Sequence, residues 1–491
     1  MKKILVVLLI LCFSLAGFSQ NKGYKIKMEI KGLKDSTCFL INYFGSQRFY
    51  KDTAQFNKEG IVIFAGKEQL HGGIYGVYTS GKLLFEIVCN NEDFIDLKTD
   101  TSDYIMHMEV KKSAENKVFF DHLKFITEKQ RSSQDLRNKA NSKELPEKEK
   151  KEVNDKLAEI GKEINNYRLA IIDKYPNLFV SIIFKTMKEP EAPEFEDIKN
   201  DSLRRFMKYD YVKTHYFDEV DFSDSRINYT PLYHNKIEKY FKNIVYPIPD
   251  SIIKEVDMVI NKAKANDDIF KYTVHYLLSD YEKSKIMGMD AVFAHIGLNY
   301  YTHKLAFWAD STQIEKVQER ARKLSPLLLG KSAINISLLD TGNNWMSLYK
   351  VPTEYTILVF WDPECGHCKK ELPKLAHLYD SLKTSLNISV FAVSSDHNEA
   401  WKKFIREHHL DFINVAVPTE VYKDQQLATE YIIKGYTDLK SMNYQTTYDI
   451  TSTPQIYLLD KAKKIIGKRL DTDLLQLVLK KEEEKKNKIV H

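Results

Sequence analysis

The sequence predicts a multidomain protein with a small all-β domain, an all-α middle domain and a C-terminal α/β domain. Three patterns predict this order. Short runs of alternating apolar and polar residues, separated by glycines, extend to about residue 110. A helical apolar stripe opposite charged residues follows, and from about residue 331 strand-like and helical segments alternate. The length of 491 residues accommodates about two to four domains of ordinary size.

The composition is that of a globular chain with a balanced charge. Apolar residues make up 43% and charged residues 29%, which excludes a wholly disordered or collagen-like chain. Lys and Arg number 73 against 68 Asp and Glu, so the formal net charge is only +5. A dedicated nucleic-acid binder usually carries a concentrated basic face, and no nucleic-acid partner is predicted.

Residues 1–20 have the pattern of a secretory signal peptide. Lys2 and Lys3 precede an apolar run, and small residues lead to predicted cleavage near Ser19 or Gln20. Cys12 then belongs to the discarded peptide. The apolar run is short for a membrane span. We therefore expect an exported, periplasmic protein without a membrane span after cleavage; the alternative is anchoring at the envelope by an uncleaved signal.

Residues 21–112 form the predicted β-rich domain, a small sandwich or barrel. Strand patterns occur at 24–30, 38–43, 61–64, 74–78 and 83–88. Cys38 and Cys89 each lie in a strand-like run. In an oxidising compartment they either form a disulfide or stay as buried thiols, and the sequence leaves both readings open.

Residues 113–330 form the predicted helical domain. Apolar residues at alternating steps of four and three give one long helix an apolar stripe: Val153, Leu157, Ile160, Ile164, Tyr167 and Ile171. Thr230 followed by Pro231 is typical of a helix start. His295 and His303 are eight residues apart, but neither has an acidic or cysteine partner at ligand spacing. No metal site is predicted.

Residues 331–485 form the predicted α/β domain, and residues 486–491 form a tail. Strands are expected at 355–361, 388–393, 413–417, 455–459 and 464–468, and helices at 366–383, 397–409 and 471–484. Strands separated by helices of this length are typical of an α/β layer fold.

The chemistry is predicted at Cys365-Gly-His-Cys368. Two thiols three residues apart at a helix start can close a small disulfide ring, and the helix dipole favours a thiolate at Cys365. His367 can add positive charge beside it. Cys368 is then the more buried resolving thiol. A zinc site would need a second cysteine or histidine pair, which is missing, and a structural disulfide is the other alternative. Placement after a buried strand favours redox chemistry.

The segment Trp361-Asp-Pro-Glu-Cys-Gly-His-Cys-Lys-Lys-Glu-Leu-Pro373 resembles the active site of the exported TlpA/ResA-like thiol–disulfide oxidoreductases, which have a thioredoxin fold. The resemblance implies a cis peptide bond at Thr453–Pro454. It also implies that Thr453, Pro454 and Trp361 contact substrate. Layouts with a β-rich domain, a helical domain and a C-terminal thioredoxin domain are typical of exported proteins of Bacteroidetes-type bacteria.

The same resemblance implies that Glu371 tunes the thiols, as an acidic residue does in cytochrome-maturation members of the family. The alternative is a helix-surface glutamate paired with a lysine. The chain departs from ordinary thioredoxin at Val359, where thioredoxin has a buried acid. A long segment, residues 418–450, precedes the cis-proline motif, and it either shapes a partner groove or only packs.

The predicted function is dithiol–disulfide exchange by a Cys365–Cys368 redox disulfide on exported proteins that carry thiols or disulfides. Such an enzyme acts as a protein disulfide reductase or isomerase, depending on its potential, and as a reductase it needs a membrane-linked electron donor. No cofactor is predicted. A peroxidase is disfavoured because the P-x-x-x-T-x-x-C pattern is missing around Cys365. The alternative is a binding or scaffold protein that acts through residues 24–330.

Overall fold

The computed structural model describes residues 23–142 and 145–490. The predicted signal peptide, residues 1–20, lies outside the described residues. The chain divides into two compact units: one comprises residues up to Tyr246 with Asn261–Tyr272, and the other comprises Pro247–Ile260 with the chain from Thr273 onward. The domain limits predicted from the sequence stay predictions.

The first unit begins with eight strands in two four-stranded sheets. The strands are β1 (Tyr24–Lys31), β2 (Thr37–Phe44), β3 (Gln47–Gln55), β4 (Ile61–Gly66), β5 (Gly73–Thr79), β6 (Lys82–Cys89), β7 (Phe94–Asp100) and β8 (Glu109–Lys112). Their orders are β4-β1-β7-β8 and β3-β2-β5-β6. In β1 the apolar residues Ile26, Met28 and Ile30 are buried while the residues between them are not, because alternate side chains of a strand face opposite sides. The predicted all-β region is confirmed.

Cys38 and Cys89 cannot form a disulfide in this fold. Strand β5 separates their two strands, and Cys38 pairs with Thr79 while Cys89 pairs with Gly73. Those partners are six residues apart on β5, which corresponds to roughly 20 Å along the strand. A disulfide needs Cα atoms within about 7 Å. Both cysteines are free and buried, which settles the question that the sequence left open.

The helices of the first unit follow the strands. They are α1 (Ala114–Ser132), α2 (Gln134–Ala140), α3 (Glu147–Lys174), α4 (Phe179–Met187), α5 (Asp201–His215) and α6 (Pro231–Lys239). Thr230 caps α6 by accepting a hydrogen bond from the Leu232 N–H, and Pro231 occupies the first turn, as the sequence predicts. Of the apolar stripe on α3, only Val153 and Ile171 are fully buried. The centre of this long helix is therefore only partly covered.

Helices α7 (Pro249–Ala263) and α8 (Asp267–Glu282) have residues in both units, and α9 (Asp290–Asn299) and α10 (Ser311–Leu324) belong to the second. The predicted helical middle region is confirmed. Within the described part of the chain, no helix is both long and apolar enough to cross a membrane.

The second unit contains a seven-stranded sheet of order β10-β9-β13-β12-β11-β14-β15. Its strands are β9 (Ser337–Asp340), β10 (Trp345–Ser347), β11 (Tyr355–Trp361), β12 (Ile388–Ser394), β13 (Ile413–Ala416), β14 (Gln455–Leu459) and β15 (Ile465–Leu470). The central strands β11, β12 and β13 run parallel, and β14 and β15 pair antiparallel at one side. Helices pack beside this sheet: α11 (Gly366–Leu382), α12 (Glu399–Glu407), α13 (Gln425–Ile433), α14 (Leu439–Met442), α15 (Tyr444–Thr447) and α16 (Thr472–Val490).

The sheet has an apolar core on each face. In β11, Ile357 and Val359 belong to one core and Leu358 and Phe360 to the other, and every residue of the strand is buried. A continuous apolar strand is expected where helices cover both faces of a parallel sheet. The predicted α/β layer fold is confirmed.

Candidate active site

The Cys365–Cys368 pair lies where the buried strand β11 passes into helix α11. Cys365 is the N-cap residue of α11, and Cys368 lies in its first turn. Cys365 is partly exposed, whereas Cys368 is fully buried in the core beneath α11. Helical spacing explains this difference, because Cys368 lies on the same face of α11 as the buried residues Leu372 and Leu375, whereas the cap residue Cys365 lies at the end of the helix. One thiol is accessible and the other is shielded.

The surroundings of Cys365 favour its thiolate. Partial burial works to raise the pKa of Cys365, but hydrogen bonds to the thiolate from the Thr453 side chain and from the backbone N–H groups of Cys368 and His367 outweigh it. The pKa of Cys365 therefore lies below its ordinary value. In the thiol form, Sγ donates to the Thr453 carbonyl oxygen over 3.3 Å. The free N–H groups of a helix start provide this stabilisation.

Cys368 has the opposite environment. Burial, followed by the neighbouring Cys365, raises its pKa to about 12, against weaker hydrogen bonds from the Asp362 backbone and the Thr453 side chain. At neutral pH Cys368 is a protonated, inaccessible thiol, next to a thiol whose pKa is lowered. The two sulfurs are therefore chemically unequal, as an attacking and a resolving thiol would be.

This inequality predicts selective alkylation of the reduced protein. Near neutral pH, iodoacetamide should modify Cys365 much faster than the other described cysteines, because Cys38, Cys89 and Cys368 are buried and burial raises the pKa of each. Mass spectrometry of each cysteine-containing peptide over a pH series measures this. The rate of Cys365 alkylation should reach half its maximum at a lower pH than the rate for a free cysteine peptide, because the pKa of Cys365 is lowered. Equal modification of Cys365 and Cys368 would contradict the structure.

The peptide bond between Thr453 and Pro454 is cis. Both residues are partly exposed, and the Thr453 carbonyl lies against the Cys365 sulfur. A docked polypeptide could therefore reach both. The sequence did not predict the effect of the Thr453 side chain, which works to lower the pKa of both thiols; a hydroxyl-bearing residue before the cis-proline was the available signal. His367 is exposed at the helix start.

Trp361 does not lie on the surface. It is 1% exposed and its ring packs on Phe404, with centroids 5.2 Å apart. Because Trp361 is the last residue of β11 and points into one core, a substrate cannot touch its ring. The predicted substrate contact of Trp361 is wrong in this fold, and its role is to fill the core below the dithiol.

Glu371 contacts the start of another helix. Its carboxylate accepts hydrogen bonds from the Thr472 backbone N–H (2.8 Å) and hydroxyl (2.5 Å), and it lies 3.5 Å from the Lys374 ammonium. Burial alone would raise the pKa of Glu371, but these Thr472 and Lys374 contacts lower it below the ordinary value. The lysine pair matches the alternative that the sequence left open, and tuning of the thiols stays a prediction.

A Glu371→Gln variant distinguishes stabilisation of the start of α16 by Glu371 from tuning of the thiol pKa values. Loss of a carboxylate at the start of α16 should lower the free energy of unfolding by about 1 kcal/mol. Because the folded-state pKa is depressed, this contribution is complete above the ordinary pKa of 4.5 and disappears as the pH falls through the lower folded value. Thermal unfolding at several pH values measures it. A parallel shift of the Cys365 pKa, followed by thiolate absorbance, would establish tuning.

Residues 418–450 supply both core and surface side chains. Tyr444 is buried and stacks on Phe360, with ring centroids 5.3 Å apart, so it is a packing residue. Tyr422 is 60% exposed, and its hydroxyl donates to the Ser395 carbonyl. Over the described ranges, no group of three His, Cys, Asp or Glu side chains is arranged to hold a metal ion.

A dithiol at the start of a helix beside a cis-proline, on a central parallel sheet with antiparallel strands at its side, defines a thioredoxin-like domain. Comparison with known proteins agrees. The model of the AhpC/TSA family matches residues 329–468, and a domain of unknown function, DUF5106, matches residues 136–325. The C-terminal domain of this chain is an AhpC/TSA-type thioredoxin-like domain that is homologous to the ResA thiol–disulfide oxidoreductases.

Two ResA proteins illustrate that homology. The thiol–disulfide oxidoreductase ResA of Bacillus cereus is 25% identical over 141 residues, which cover 28% of this chain and 68% of the relative. ResA of Bacillus anthracis is 24% identical over 139 residues, covering 28% and 67%.

Solved structures similar to this chain include a domain of a possible thiol–disulfide isomerase from Cytophaga hutchinsonii. It is 36% identical and covers 33% of this chain and 99% of its own, with a TM-score of 0.27. A thioredoxin-like protein from Bacteroides caccae is 19% identical and covers 60% of this chain and 98% of its own, with a TM-score of 0.43.

Proposed function

We propose that this chain is an exported thiol–disulfide oxidoreductase that exchanges its Cys365–Cys368 pair with protein substrates. The observation that carries the proposal is the pairing of an accessible thiol of lowered pKa with a buried thiol whose pKa is raised to about 12. The names of the ResA relatives support the same class of reaction.

In the reducing direction, the Cys365 thiolate attacks one sulfur of a substrate disulfide. The substrate S–S bond breaks, a mixed disulfide forms, and one substrate sulfur leaves as a thiolate. Cys368 then loses its proton and attacks Cys365 Sγ, which releases the second substrate sulfur as a thiolate. The two electrons gained by the substrate come from the enzyme dithiol. An external dithiol donor must reduce the new Cys365–Cys368 disulfide before the next cycle.

The other parts of the proposal come from the sequence. The predicted cleavable signal at residues 1–20 supports export to the periplasm, and a reductase there requires an electron donor linked to the membrane. Thr453 and Pro454 supply the surface beside the nucleophile against which a substrate backbone lies, because both are partly exposed there.

The equilibrium reduction potential of the Cys365–Cys368 pair tests the direction of exchange. The full chain is equilibrated in dithiothreitol or glutathione buffers, and the oxidised fraction is measured by alkylation. For a reductase we expect the reduction potential of the pair to be about −270 mV. A potential of about −180 to −120 mV would indicate an isomerase or an oxidase. Insulin reduction and hydrogen peroxide consumption by the same preparation separate disulfide exchange from peroxidase activity. Peroxide turnover without insulin reduction would overturn the proposal.

A further inference from the structure

The first unit contains a cleft between α3, α4 and the segment that follows α4. Two cavities of about 330 and 460 Å³ share lining residues on α3 and in residues 188–191. This volume is in the range of small-molecule sites. The larger cavity is lined by two polar residues of α3, Asn165 and Arg168, and by an apolar wall made of Leu169, Ile172, Phe184, Met187 and Pro190.

Arg168 is a half-buried cation held by a neutral group. Its Nε donates to His122 Nε2 over 3.1 Å, and His122 is 3% exposed. Burial, helped by the nearby Arg168 charge, lowers the pKa of His122 to about 3, so the histidine is neutral at physiological pH. Among residues 23–142 and 145–490, no carboxylate oxygen lies within 4.0 Å of the guanidinium, in contrast to Arg131, which pairs with Asp103. The positive charge of Arg168 therefore has no counterion within the part of the chain that the structure describes.

The contact with His122 uses only the Nε edge of the guanidinium. Both terminal amino groups have no hydrogen-bond partner within the described residues, and they belong to a residue that lines the cleft. Asn165 precedes Arg168 by one helical turn, so the two side chains lie on the same face of α3. The Asn165 amide likewise has no partner among the described residues. Two sets of unused donors therefore lie side by side, next to an apolar wall.

The charge of the remaining lining residues restricts the ligand. The joined cavities include Lys188, which pairs with the lining carboxylate Glu219 over 2.6 Å. Three further carboxylates line them: Glu189, which pairs with Lys239, Asp218, which contacts His215, and Glu191. A dianionic phosphate would be repelled by them more strongly than a monoanion. A planar carboxylate also matches the terminal fork of an arginine.

We propose that this cleft binds a small monocarboxylate with an apolar body. Its two carboxylate oxygens accept hydrogen bonds from the terminal amino groups of Arg168 and from the Asn165 amide, and its body lies on Leu169, Ile172 and Met187. His122 orients Arg168 without neutralising it. The inference is independent of the dithiol chemistry, because all residues of the cleft belong to the first unit and the dithiol belongs to the second.

Octanoate is the probe that tests this inference. Octanamide is its neutral analogue of the same shape, and octyl phosphate is a dianion with an alkyl chain of similar length. Binding to the full chain is measured by calorimetry below micellar concentrations. Octanoate should bind at one site and more tightly than either analogue. The Arg168→Gln variant should weaken octanoate binding roughly 10- to 100-fold, the range expected for loss of a charge-assisted contact. Arg205→Gln, an exposed arginine of α5 outside the cleft, should bind octanoate like the parent.

The comparison of octanoate with octanamide needs no variant, so the test survives if Arg168→Gln folds poorly. Equal binding of octanoate and octanamide to the parent chain would overturn the inference, as would no binding of octanoate. Tighter binding of octyl phosphate would overturn the assignment to a carboxylate. Unchanged octanoate affinity in a folded Arg168→Gln variant would overturn the role of the arginine.

Discussion

Replacing Cys365 by serine should reduce disulfide exchange to the uncatalysed background, a loss of about 10³-fold or more. No other described sulfur can substitute for it. Cys368 is fully buried, and burial, the largest cause of its raised pKa, persists without Cys365 and keeps the thiol protonated and shielded from substrate. Turnover of insulin by the full chain with dithiothreitol as donor measures the effect.

Cys368→Ser should fail at a different step. Cys365 still attacks the substrate, but nothing resolves the mixed disulfide, which accumulates and is seen on non-reducing gels. Cys38→Ala is the matched control, because it removes a buried thiol of the first unit and should leave turnover unchanged. Trapping by Cys365→Ser instead of Cys368→Ser would reverse the assigned roles. Turnover that survives both substitutions would remove this pair from the reaction.

The elements that the sequence predicts well are those with a strong local pattern. Strand β11 is a continuous apolar run, and the following Cys365 begins a helix whose first turn carries the second thiol. Strand β3 was missed because it lies at the end of its sheet and most of its residues are exposed, so it shows no apolar alternation. The short strands β9 and β10 have too few residues to show a period.

Most of the other features that the sequence did not predict are contacts between residues far apart in the chain. Glu371 is 101 residues from Thr472, and Arg168 is 46 residues from His122. Nothing in the local pattern around either residue indicates its partner. Trp361 shows the converse error: a motif placed it beside the substrate, whereas the alternation of β11 directs its side chain into the core. A sequence motif shows only that Trp361 is close to Cys365 in the chain. Its burial decides whether a substrate can reach its side chain.

A buried ion pair in the second unit also escaped the sequence analysis. Lys468 on β15 is 2% exposed, and its ammonium donates to Asp290 Oδ2 on α9 (2.5 Å) and to the Leu327 carbonyl (2.6 Å). Burial lowers the pKa of Lys468, and the attraction of Asp290 opposes that shift. The ammonium therefore depends on partners that lie before residue 331, the predicted start of the thioredoxin-like domain.

Replacing Lys468 by methionine should destabilise the chain by about 3–5 kcal/mol, because it leaves Asp290 buried without a counterion. Asp290→Asn should cost a similar amount by leaving the lysine unpaired. The double variant Lys468→Met/Asp290→Leu should recover most of the loss, since a buried ion pair and an apolar pair of similar volume are often equally stable. Denaturant unfolding of the full chain, followed by a probe in the second unit, measures these differences.

Lys464→Met is the control for this pair, because Lys464 is an exposed lysine four residues earlier, and its loss should change stability by less than about 0.5 kcal/mol. If Lys468→Met is no worse than Lys464→Met, the buried pair does not stabilise the unit. If Lys468→Met is less stable than Lys464→Met and the double variant regains stability, then helix α9 and strand β15 form one cooperative structure. A fragment that begins at residue 331 would then carry an uncompensated Lys468, and activity assays on such a fragment would report its instability as well as its chemistry.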